Sequence, residues 1–181
     1  MPVASVDPMA SRIRRTFPAV GAALLALALV TGCAPEPAPT PTPTGFASDD
    51  EAFAAAEATY RAYSKALDAR RVDPEAMPDP DSFLTGGALQ GSIEGEQKLR
   101  DAGVHLEGSS SIVGVKHVSA DSSSATITVC LDVSGVTVLN SSGANVTPAD
   151  RPALNALEIE VVSSTPQPLI LRSDISDVAK C

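Results

Sequence analysis

The chain has 181 residues, room for one domain of ordinary size once any targeting segment is set aside, and carries 13 Lys and Arg against 22 Asp and Glu. Three of those bases and one acid fall in the first 32 residues, so the remainder holds 10 bases and 21 acids, a formal charge of −11. Such a surface repels phosphate backbones, and no basic cluster beyond the leader offsets it, which argues against nucleic acid as a partner.

In chain order, Arg12, Arg14 and Arg15 precede an uncharged stretch, residues 17–32, with an apolar centre at 19–30. That is the layout of an export signal, and it is shorter than the roughly 20 apolar residues of a membrane span. Residues 1–32 are therefore expected to be a signal peptide. Val30-Thr31-Gly32-Cys33 resembles the bacterial lipobox, in which small residues precede a cysteine that is diacylated on sulfur and becomes the new amino terminus. The resemblance implies that Cys33 carries the lipid, palmitate or a similar chain, and that the protein sits anchored on the extracytoplasmic face of the cell membrane. Arg14-Arg15-Thr16-Phe17 is also similar to a twin-arginine signal, weakened by Pro18 and by the absence of Ser or Thr before the pair, so the general secretory route is expected; Met9 is an alternative start.

Prolines at 35, 37, 39, 41 and 43 make residues 34–45 a stiff tether, reaching roughly 35 Å at about 3.1 Å per residue. The expected organisation is 1–32 signal, 33–46 lipidated cysteine and linker, and 47–181 a single domain. Ser48-Asp49-Asp50-Glu51 has the pattern of a capping box and loads acids at a helix start. Phe53, Ala56, Tyr60, Tyr63 and Leu67 then recur at helical spacing, with Glu57 and Arg61 paired on the opposite side, until Arg70, Arg71 and Asp73-Pro74 end the helix. The aromatic stripe is expected to be core against a sheet. Phe83, Leu84, Leu89, Ile93 and Leu99 suggest one or two short helices weakened by glycines and capped at Gly103.

Beyond Gly103 the pattern turns to β. Residues 104–118 predict one long strand with bends at Gly108 and Gly114. Ile127, Val129, Leu131 and Val133 alternate with Thr126, Thr128, Cys130 and Asp132, and Leu157, Ile159 and Val161 with Glu158 and Glu160. Leu169 and Leu171, alternating with Ile170 and Arg172, predict a last strand. Helices first and strands afterwards imply an α+β fold: a long helix and short helices on an antiparallel sheet of about four strands. No Trp is present and no Phe or Tyr lies beyond Phe83, so the distal half must build its core from Val, Ile and Leu.

Three cysteines are present. With Cys33 consumed by lipid, Cys130 and Cys181 form an even pair, which in an oxidising envelope favours one disulfide closing a loop of about 50 residues. The alternatives are two unrelated thiols or half of a metal site. His105 and His117, twelve residues apart, would lie roughly 40 Å apart on one extended strand at about 3.3 Å per residue, so neither metal nor cofactor binding is expected. Gly108-Ser109-Ser110-Ser111 lacks the nucleophile-elbow spacing. Asp132 with His117 on a neighbouring strand is the one acid/base pair the pattern offers, against a simpler reading as an exposed carboxylate and a surface histidine. Asn140-Ser141-Ser142 and Asn145-Val146-Thr147 match glycosylation sequons but read as turn residues around Gly143.

The segments AEATYRAYSKAL, FLTGGAL, AGVHLEGSSSIVGV, ATITVCLDVSGVTVLNSSG and PADRPALNALEIEV, with a cysteine at the end, resemble the small exported lipoproteins of high-GC Gram-positive bacteria. Their domain is a cone of the nuclear-transport-factor-two or cystatin-like kind. The resemblance implies a cystatin-like curved sheet and a non-catalytic binding or accessory module, engaging an envelope protein or a small apolar ligand. The same fold serves isomerase and cyclase enzymes, so a small-molecule enzyme with His117 or Asp132 as base is the alternative. No catalytic residue is carried over, because no motif places one.

Overall fold

The structure, a computed structural model, describes residues 45–181; the predicted signal, Cys33 and most of the proline tether lie outside the described residues. No helix among the described residues is long and apolar enough to cross a membrane. The order is α1 (Asp49–Val72), a short 3-10 turn (Pro80–Phe83), α2 (Gly86–Ala102), β1 (Val104–Gly108), β2 (Ser111–Ala120), β3 (Ser124–Asp132), β4 (Val136–Asn140), β5 (Leu154–Val162) and β6 (Leu169–Ile175). The α+β expectation holds.

Helix α1 begins where the capping box places it. Ser48 Oγ accepts from Glu51 N at 3.2 Å, and the Glu51 carboxylate reaches back to Ala47 N at 2.8 Å. At its other end Arg70 donates to Ala76 O, Pro74 O and Asp79 Oδ2, clamping the turn that follows the helix. Packing starts slightly before the expected boundary: Phe46, assigned to the linker by its neighbours, is buried in the core and its N–H donates to Ser122 O at 2.8 Å.

The sheet of four strands runs in the order β2-β3-β5-β6, antiparallel throughout. One face carries Ile127, Val129, Ile159, Val161 and Ile170, all fully buried against Ala52, Ala56 and Tyr60 of α1. Alanine at the two tightest helix positions lets the helix lie close to the branched side chains. Register shifts at Ile112/Gly114, His117/Ser119 and Glu160/Val161 bend the strands and add twist. In β6 it is Ile170 that reaches the core, with Leu169 and Leu171 half-buried, because the shift opposite Val161 resets the alternation.

Two expectations need correction, and one strand went unanticipated. The single long strand over residues 104–118 is two strands in different sheets: Gly108 has φ +87°, and a Cβ there would collide with the Gly135 carbonyl, so the chain turns. Ser110 N and Oγ both donate to Asp68 Oδ1 at 3.2 Å, tying that turn to the end of α1. The stretch after β3 is likewise broken at Val133-Ser134-Gly135, and β4 leaves the main sheet to pair antiparallel with β1, Val104 opposite Asn140. Finally, α2 is one continuous helix of 17 residues through Gly91 and Gly95, closed by Gly103 at φ +65°, whose N–H reaches Arg100 O and Leu99 O.

Candidate functional site

The most developed side-chain cluster lies where α1 meets the free edge of the sheet. Helical spacing puts Phe53, Glu57 and Arg61 on the flank of α1 that faces β2, the edge strand, and β2 carries His117 toward them. The His117 ring stacks flat on Phe53, centroids 4.2 Å apart with planes 3° from parallel. Its Nε2 lies 3.1 Å from Glu57 Oε1, and Glu57 Oε2 meets Arg61 Nη2 at 3.4 Å. Asp50, Ala54 and Ala58 complete a groove of about 410 Å³ that is broadly open to solvent. Stack and hydrogen bond together fix the orientation of a half-exposed imidazole, but water competes for anything that binds in so open a groove.

A second depression, of about 390 Å³, lies between Tyr63, the small residues Gly87, Ala88 and Gly91 of α2, and Arg172 and Asp174 of β6. Burial pushes the Tyr63 hydroxyl up to about 12, with the nearby Asp81 charge adding to it. Tyr60, its ring 6.0 Å from that of Tyr63, is raised further, by burial first and then by Tyr63. Both hydroxyls therefore stay protonated at neutral pH.

The sequence-derived candidates are distributed as follows. Cys130 and Cys181 are joined as a disulfide, Cα atoms 5.4 Å apart and 51 residues apart in sequence. Cys130 sits on the polar face of β3, as the alternation predicts, and the last residues of the chain come over that face to meet it. The proposed Asp132–His117 pair does not form. Although β2 and β3 are neighbours, His117 is opposite Ile127 and Asp132 opposite Ser111, a separation of roughly 17 Å along β3 at about 3.3 Å per residue. Asp132 instead closes a surface turn, accepting from Ser134 N at 2.8 Å. Hydrogen bonding to the hydroxyl and amide of Ser134 holds its carboxyl below the ordinary carboxylate range, a poor setting for a general base.

His105, on β1, lies 3.4 Å from Glu107 Oε1, with both side chains exposed. Among the described residues no cluster of three His, Cys, Asp or Glu side chains has the geometry of a metal site. Asn140 Oδ1 accepts from Ser142 N, Ser142 Oγ and Ala144 N, and Asn145 Oδ1 from Thr147 N at 2.9 Å, so both sequon asparagines do serve as turn residues. Sequence reading missed the union of His117 with Glu57 and Phe53. Glu57 and Arg61 do pair, yet they border the sheet instead of facing wholly away from it, and no local signal announces a contact across 60 residues.

No family model matches the chain, and no curated protein matches it. Among solved structures it is similar to the crystal structure of the intermembrane space region of chloroplast protein ARC6, at 16% identity and a TM-score of 0.46, over 66% of this chain and 92% of that one. So distant a likeness carries no argument about what this chain does.

Proposed function

We propose that the chain is an extracytoplasmic lipoprotein, anchored to the cell membrane through acylated Cys33, whose domain is a non-catalytic binding or accessory module of the envelope. The observation that carries this reading is the distribution of cysteines. Two of the three are joined to each other, Cys130 to Cys181, which suits an oxidising compartment, and the third stands at Val30-Thr31-Gly32-Cys33 behind an arginine-led apolar leader. The proline-rich stretch that follows would hold the acidic domain away from the membrane surface. The proposal includes kinship with the exported lipoproteins of high-GC Gram-positive bacteria that carry a cystatin-like or nuclear-transport-factor-two-like domain.

An accessory role accords with depressions that open to solvent at the helix–sheet margin. A binding partner would meet an acidic surface, so a protein with a complementary basic rim or a small apolar ligand suits it better than an anion. Metabolic labelling with a radioactive fatty acid tests the anchor. Wild type should label and partition with membranes, whereas Cys33→Ala should lose label and appear in the medium; label retained in the variant would overturn the assignment. For the module itself, the tagged lipoprotein is recovered from membranes and its companions identified by mass spectrometry. A protein recovered reproducibly in fixed ratio supports the accessory role, and a turned-over small molecule refutes it.

A further inference from the structure

Among the described residues the disulfide is the one covalent tie of the segment that follows β6. After β6 ends at Ile175 the chain folds back over the outer face of the sheet, opposite to the face that carries α1. Ser176 N donates to Ala156 O at 2.8 Å, and Ala179 N to Ser176 Oγ at 3.0 Å, within the same tail. Among the described residues no hydrogen bond joins residues 177–181 to the sheet, and Val178 is 91% exposed. Grooves of about 370 and 420 Å³ flank the tail, one floored by Gly114, Lys116 and Thr128, the other by Leu154, Asn155 and Ala156. Thr128 is buried although it points away from the core, and the tail and the disulfide are among the groups around it. Cys181 is exposed, so a dissolved thiolate can reach it, while Cys130 is half-buried.

We propose that Cys130–Cys181 is a redox latch: an envelope dithiol opens it, frees residues 177–181, and uncovers the outer sheet face around Thr128 while the core stays folded. The reductant thiolate attacks Cys181 Sγ; a bond forms between the two sulfurs, the Cys130–Cys181 bond breaks, and Cys130 leaves as a thiolate that takes up a proton. The second thiol of the reductant then attacks its own bridged sulfur and expels Cys181. The reductant closes to a disulfide, two electrons pass to the protein, and two protons end on Cys130 and Cys181. Core integrity is expected because Ile127, Val129, Ile159, Val161 and Ile170 lie on the opposite face, packed against α1.

The test treats the full chain with dithiothreitol in native buffer, without denaturant, and follows alkylation, hydrogen exchange and the near-ultraviolet signal of buried Tyr60. Two additional alkylatable thiols should appear, and the amides of Ser176 and Ala179 should exchange at least about tenfold faster while those of β3 and β5 stay slow and the Tyr60 signal persists. Cys181→Ser should show the fast tail exchange with no reductant and no further response to it. The latch is refuted if the bond resists reduction until denaturant is added, if the tail amides stay slow once it is reduced, or if Tyr60 loses its signal together with tail release.

Discussion

The two faces of the four-stranded sheet are held by different physics. On the inner face Ile127, Val129, Ile159, Val161 and Ile170 are fully buried against α1, and each gains from removal of apolar surface from water and from close packing. On the outer face Thr126, Thr128, Glu158, Glu160 and Arg172 alternate with those residues, and among the described residues an ion pair between Arg172 and Glu160 and the covalent bond between Cys130 and Cys181 fasten it. The contrast separates what makes the native state compact from what restricts the unfolded chain. Burial acts in the folded state, whereas the disulfide acts largely by removing conformations from the unfolded ensemble.

Breaking the covalent fastening has the largest expected effect. Cys130→Ser/Cys181→Ser should lower the unfolding free energy by about 4 kcal/mol, the chain-entropy figure for a loop of this length, with most of the loss in the refolding rate and little in the unfolding rate. Equilibrium and stopped-flow denaturation with urea check both parts. Removing bulk from the inner face should come next: Ile159→Ala is expected to cost about 3 kcal/mol through lost burial and a residual cavity, seen in the same titration as a lower midpoint. A loss under about 1 kcal/mol would mean that the inner face is not the packed core.

Smaller effects sharpen the comparison at its margins. Ser48→Ala removes the side-chain cap of α1, and thermal melts should report a loss of about 1 kcal/mol. Arg172→Ala opens the pair with Glu160 on the outer face; with the arginine largely exposed, the expected loss is about 0.5 kcal/mol, and less in high salt. The smallest is a pH effect. Asp121 and Asp132 accept hydrogen bonds in the turns that bound β3, and hydrogen bonds from Ser123 and Ser134 hold both carboxyls below their ordinary 3.8. A depressed folded value favours the native state above the unfolded pKa and loses that contribution as pH falls through 3.8 toward the folded value. The melting midpoint should therefore drop less between about pH 5 and about pH 3 in Asp121→Asn/Asp132→Asn than in wild type. An equal drop would assign the acid sensitivity elsewhere.

How far the fold was legible follows from the range of each signal. Strand β3 was visible in the alternation from Thr126 to Asp132, and β5 in that from Leu157 to Val161, because each has one buried and one solvated face. Ser48 and Glu51 marked the start of α1 through a bond spanning three residues. The break at Gly108 was weaker, since a glycine inside a β pattern permits a bulge as readily as a reversal. What made it a reversal is Asp68, 42 residues away, receiving Ser110, and Gly135 packed against Gly108. Strand β4 escaped notice for the same reason: nothing in VTVLN says that its partner is β1 instead of β3. In the candidate site the Cys130–Cys181 pair could be counted out in advance, whereas the stack of His117 on Phe53 joins β2 to α1 and has no local signal.

The amino-acid sequence alone determined the helical character of α1 and the place where it starts, the strand character and sidedness of β3 and β5, and the likeness of residues 30–33 to a lipidation signal. Those properties rest on interactions within a few residues of chain, and periodicity records them. Tertiary structure alone decided that residues 104–118 serve two sheets, that Ile170 and not its neighbours enters the core, that Asp132 and His117 stay apart, and that the final residues lie across the outer face. Each of these depends on a contact between distant segments, whose free energy exists only once the sheet has closed.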